Sequence, residues 1–74
     1  MEIKKAVQAL TSLAHPSRLE IFRLLVPTGR LCAGELAERI GLPGPTLSFH
    51  LKELSRAGLI EAERKGRTIH YGVC

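Results

Sequence analysis

The sequence predicts a small, mainly helical domain closed by a β-hairpin, with four helices followed by two strands (α-α-α-α-β-β). Three observations point there. Apolar residues recur at spacings of three and four through the first fifty-odd positions, the period of one helix face. Gly41-Leu42-Pro43-Gly44 breaks that pattern between two short apolar stripes. Beyond Gly58 the period changes from the helical one to the two-residue alternation of a half-buried strand.

Ile3, Ala6, Val7, Leu10 and Leu13 define the first helix. His15-Pro16 interrupts it, because a residue before proline is pushed out of helical geometry. Pro16 opens the second helix, whose apolar content is Leu19, Ile21, Phe22, Leu24 and Leu25, and Pro27-Thr28-Gly29 ends it. Leu36, Ala37 and Ile40 form the stripe of the third helix, and Leu47, Leu51 and Leu54 that of the fourth. The fourth runs roughly from Pro45 to Ala57. Gly44 is its expected cap, Pro45 lies in its first turn and Gly58 is its left-handed stop. Two short helices joined by a sharp glycine-containing turn make a helix-turn-helix, which props its second helix outward toward a DNA major groove.

Residues 59–64 and 68–73 read as strands around Lys65-Gly66-Arg67. Ile60, Ala62, Ile69, Tyr71 and Val73 share one face, and Arg64, Lys65 and Arg67 crowd the tip. A hairpin with a basic tip directly after such a helix pair is a wing, able to reach phosphates or a narrow minor groove. A charged tip is common to exposed hairpins, but this position favours the wing.

With Leu47, Leu51 and Leu54 buried, Pro45, Phe49, Lys52 and Arg56 face outward, and Thr46, Ser48 and His50 flank them. A solvent-facing phenylalanine suits contact with thymine methyls, while hydroxyls and imidazole suit base edges or phosphates. Thr46, Ser48, Phe49, His50, Lys52 and Arg56, with Arg64, Lys65 and Arg67, are therefore the candidate DNA contacts. His50 lies close to the core side of the wheel, so a structural histidine fits it equally well. Phe49 would instead be core if it packed against a neighbouring element.

Seventy-four residues are enough for one small domain, 1–74, and 45% hydrophobic content is that of a globular chain. The net charge of +4 suits a polyanionic partner. No apolar run reaches the length of a membrane span, and charges among the first residues argue against a secretory signal. Two cysteines make no disulfide framework, so a cytoplasmic setting is expected. Nothing pairs a nucleophile with a base, or two carboxylates, in the manner of an enzyme. A winged helix that binds protein instead of DNA is the alternative. The cations Lys52, Arg56, Arg64, Lys65 and Arg67 argue against it.

Together, Leu13-Ala14-His15-Pro16-Ser17-Arg18-Leu19-Glu20-Ile21-Phe22, Glu35-Leu36-Ala37, 46–54 with Ala57-Gly58-Leu59, and the 64–71 hairpin resemble the ArsR/SmtB family of bacterial winged-helix repressors. The resemblance spans nearly the whole chain. It implies a dimeric repressor that leaves operator DNA when it binds a metal or metalloid, such as arsenite, antimonite or another thiophilic metal. The chain departs from the family's pattern twice. Members usually carry a further C-terminal dimerisation helix, and this sequence stops at Cys74, where that helix would begin. Either this is a trimmed or short form, or dimerisation rests on the first helix, and a homodimer through that helix is expected. Arsenic-sensing members often carry Cys-x-Cys at the start of the third helix. Cys32 occupies the first place and Gly34 the second, leaving Cys32 and Cys74 as the candidate thiolate ligands. A thiophilic ion wants two or three soft ligands, so Cys32 reads better as a small buried residue, and a weak or absent response to such ions is expected.

Overall fold

The computed structural model describes residues 2–74. Its elements are α1 (Ile3–Leu13), α2 (Pro16–Thr28), β1 (Arg30–Cys32), α3 (Ala33–Ile40), α4 (Gly44–Arg56), β2 (Ile60–Lys65) and β3 (Thr68–Val73). The four helices and the hairpin stand where the periodicity places them. The strand β1 was not expected: it pairs antiparallel with β3, giving a three-stranded sheet of order β1-β3-β2. The topology is therefore α-α-β-α-α-β-β. Three residues are too few to display a period. Arg30–Cys32 is extended because the free edge of β3 offers backbone partners.

The junction of α1 and α2 follows from one proline. His15 is extended (φ −143°, ψ 126°), as a residue before proline tends to be. Its Nδ1 accepts a hydrogen bond from the Ser17 N–H at 3.2 Å, capping α2. The Ser12 carbonyl would normally accept from the residue four positions on, which is Pro16 and has no N–H. Arg18 Nε fills the gap at 2.8 Å, a cation at a helix C-terminus where the dipole favours it. At its far end α2 runs on through Pro27 and stops only at Gly29 (φ 82°).

Cys32 caps α3. Its N–H donates to Glu35 Oε1 at 3.1 Å, and this bond is the main cause holding the Glu35 carboxyl below its usual range. The cap of α4 is Pro43, not Gly44 as expected. Its carbonyl accepts from the Leu47 N–H at 2.9 Å, so the helix begins one residue early. Gly58 is left-handed, as expected.

Ile21, Leu25, Leu31, Leu36, Leu47, Leu51, Leu54 and Ile60 form one core drawn from α2, β1, α3, α4 and β2. Of α1, only Ala9 and Ser12 are buried. The hairpin is anchored at its base by buried Ile60, while the rest of β2 is exposed and projects from the body. On the outer face of the sheet Gly72 lies between Arg30 and Glu61. Having no side chain, it lets Arg30 cross the central strand and pair with Glu61 at 2.8 Å. A Cβ here would stand 2.9 Å from Arg30 Cγ.

Candidate nucleic-acid interface

Leu47, His50, Leu51 and Leu54 seat α4 against the core, and this stripe fixes the helix's rotation. Pro45, Thr46, Ser48, Phe49, Lys52 and Arg56 are all exposed on the remaining surface. Phe49 is 55% exposed, one of the few large apolar side chains left in solvent. Arg56 lies 3.6 Å from Glu53 one turn back, a surface pair worth about 0–1 kcal/mol.

His50 does not belong to this surface. It is 6% exposed, and its ring packs against His15 with centroids 4.7 Å apart. Its Nδ1 lies 3.3 Å from Arg18 Nη1. A guanidinium can only donate, so Nδ1 accepts and the imidazole proton sits on Nε2. Burial first, then the neighbouring His15 and Arg18, push its pKa below the ordinary histidine value, and the ring is neutral near pH 7. His50 falls on the core side because it extends the Leu47-Leu51-Leu54 stripe by the i, i+3, i+4, i+7 rule. His15 and Arg18 received no role from the sequence. The only signal lay in the His-Pro pair beside an arginine, and 32 residues separate Arg18 from its partner His50.

At the wing, Lys65 pairs with Thr68, so the connection is the two-residue loop Gly66-Arg67. Gly66 has φ 62°, as the first loop position of a tight hairpin turn of the II′ type requires. Arg64, Lys65 and Arg67 are exposed, and Lys65 Nζ lies 3.5 Å from Glu63. Among the described residues Arg64 and Arg67 make no ion pair, which leaves two cations at the tip without counter-charges.

The cysteines do not meet. Cys32 is half-buried, not buried as expected, and stands opposite His70 on β3. Cys74 is exposed just past the end of β3, four positions beyond His70, a distance of about 13 Å at the usual rise per residue. The two thiolates cannot chelate one ion within a single chain. No group of three or more His, Cys, Asp or Glu among the described residues could hold a metal. No helix among them is long and apolar enough to cross a membrane.

A helix pair that holds its second helix outward beside a basic hairpin defines the winged helix-turn-helix class of DNA-binding domain. The helix-turn-helix domain family matches residues 13–63. The arsenical resistance operon repressor of Staphylococcus xylosus is 39% identical over 71 residues, covering 96% of this chain and 67% of that protein. HlyU from Vibrio cholerae superposes with a TM-score of 0.89 at 36% identity, over 99% of this chain and 80% of that one. The homodimeric winged helix-turn-helix DNA-binding domain of a possible ArsR-family regulator from Mycobacterium bovis gives 0.89 at 30% identity, over 96% and 65%. The chain belongs to the ArsR/SmtB family of winged helix-turn-helix transcriptional repressors, which are not enzymes. It spans 76% of the length of an uncharacterized HTH-type transcriptional regulator from Methanocaldococcus jannaschii and 48% of that of the SmtB repressor from Mycobacterium tuberculosis.

Proposed function

We propose that this chain binds double-stranded operator DNA as a homodimer in the cytoplasm and represses transcription, with α4 in the major groove and the wing beside it. The observation that carries this reading is the exposed face of α4. Thr46, Ser48 and Phe49 are presented opposite a buried apolar stripe, next to a hairpin tip bearing Arg64, Lys65 and Arg67. Thr46, Ser48 and Phe49 read base edges, while Lys52, Arg56 and the wing cations meet phosphates. The apolar stripe of α1 supplies the dimer contact, in keeping with the homodimeric relative from Mycobacterium bovis. Release by arsenite, antimonite or another thiophilic metal is not part of this reading, because Cys32 and Cys74 of one chain stand too far apart to chelate and a site would need thiols from both subunits.

Phe49→Ala tests the recognition face. A duplex selected from a random library by the wild-type protein serves as the specific probe, and a scrambled duplex of equal length as its control. Because the ring is more than half exposed, the variant keeps its melting temperature. It loses about 1–3 kcal/mol of discrimination between the two duplexes. A sharp fall in melting temperature, or undiminished discrimination, refutes the assignment of Phe49.

Arg67→Ala tests the wing. Its binding weakens on both duplexes alike, and the slope of log affinity against log salt falls by about 0.9, one phosphate contact. An unchanged slope with full affinity removes the wing from the interface.

A further inference from the structure

One partly buried contact ties the outward helix to the rest of the domain. Arg18, on α2, donates through Nε to the Ser12 carbonyl at the end of α1, 2.8 Å away, and through Nη1 to His50 Nδ1 on α4, 3.3 Å away. The guanidinium thus spans three helices. His15, itself held by the Ser17 N–H, closes the His50 ring from the α1–α2 junction. The next ring along α4 is Phe49, which meets the imidazole edge-on with centroids 5.6 Å apart. The buried end of this chain of contacts is therefore one residue from the surface proposed to read bases.

Resting on the reading of α4 as the recognition helix, we propose that Arg18 is a positioning residue for DNA recognition, which acts through His50 to fix the rotation and height of α4 against the end of α1. Base-edge contacts fail with small displacements of the helix that carries them. Phosphate contacts by long, flexible cations tolerate such displacements. Arg18 therefore acts on discrimination and leaves non-specific affinity alone. Lysine cannot replace it, because an ammonium on a flexible stem does not present the fixed fork that holds two acceptors at once.

The contact requires an unprotonated Nδ1. The charged or titratable groups facing His50 are His15 from the α1–α2 junction and Arg18 from α2, with Glu53 one turn on along its own helix. Protonation would turn the acceptor into a donor aimed at a guanidinium and release α4 from Arg18.

The test measures the affinity ratio between the duplex selected by the wild-type protein and its scrambled control, for wild type, Arg18→Lys, His50→Leu and His50→Asn. Arg18→Lys and His50→Leu are expected to lower the ratio about tenfold, the equivalent of one hydrogen bond to a charged group, with scrambled-duplex affinity unchanged. His50→Asn is expected to keep most of the ratio, because its amide oxygen stands near the place of Nδ1. As the pH falls from neutral through and below the ordinary histidine value, where the lowered pKa of His50 places its protonation, the wild-type ratio falls and that of His50→Asn stays level. A merely structural role would lower melting temperature without this pH signature or the asparagine rescue. Ratios unchanged in Arg18→Lys and His50→Leu overturn the proposal, as does an equal pH response in wild type and His50→Asn. Should Arg18→Lys fail to fold, the comparison of wild type with His50→Asn decides alone. A wild-type protein that selects no duplex at all overturns the recognition-helix reading and this proposal together. Selection with undiminished ratios in the variants overturns only this proposal.

Discussion

Leu54→Ala is expected to lower the unfolding free energy of the domain by about 2–5 kcal/mol. Leu54 is fully buried, and it lies in one core with Ile21, Leu25, Leu36 and Ile60. Truncation removes transfer energy and leaves a cavity that a tightly packed interior fills only in part. A domain of this length has a total stability of roughly 4–11 kcal/mol, so the loss takes a large share of it. Thermal unfolding followed by circular dichroism should show a melting temperature lower by on the order of 10 °C or more. The loss also reaches function, since Leu54 belongs to the stripe that sets which face of α4 points outward. A decrease below about 1 kcal/mol would mean that the α4 stripe does not anchor the helix.

Leu10→Glu is expected to abolish self-association at concentrations where the wild-type chain is dimeric. Ile3, Val7 and Leu10 form an apolar stripe along α1 and are 80%, 55% and 69% exposed. An apolar stripe left in water usually marks an interface. Burying an unpaired carboxylate in such an interface costs several kcal/mol, so the dissociation constant should rise about 100-fold or more. Because Leu10 is exposed within the single chain, the melting temperature of the monomer should hardly change, and this separates loss of assembly from loss of fold. Sedimentation equilibrium across a wide concentration range measures both proteins. A wild-type chain that remains monomeric throughout would show that the α1 stripe does not suffice for association. A dimeric Leu10→Glu variant would move the interface elsewhere.

The two substitutions probe opposite faces of the same sequence logic. The helical period placed Leu47, Leu51 and Leu54 inside and Phe49 and Lys52 outside, and the observed rotation of α4 is the one that period requires. The exposed stripe of α1 was legible in the same way. A stripe broader than a small core can cover remains in water. The wing was legible because a change of period, a glycine at the turn and clustered cations are all local signals. His50 was not legible. Its wheel angle lies at the edge of the buried sector, and a rotation of a few tens of degrees decides between solvent and core. Packing against His15 and Arg18 made that choice.

By itself, then, the sequence determined the helices, their apolar faces, the turn, the hairpin and the basic tip. Each of these depends on spacing between near neighbours, and local geometry translates spacing into structure with little ambiguity. The tertiary structure alone decided three features. The three-residue strand β1 exists because β3 had an edge to pair with. Arg30 reaches Glu61 because Gly72 leaves room between them. Arg18 holds His50 because Pro16 deprives the Ser12 carbonyl of its partner and draws the guanidinium into the space between α1 and α4. In each case the interacting groups are distant in sequence, and no periodicity carries information about which distant groups will meet.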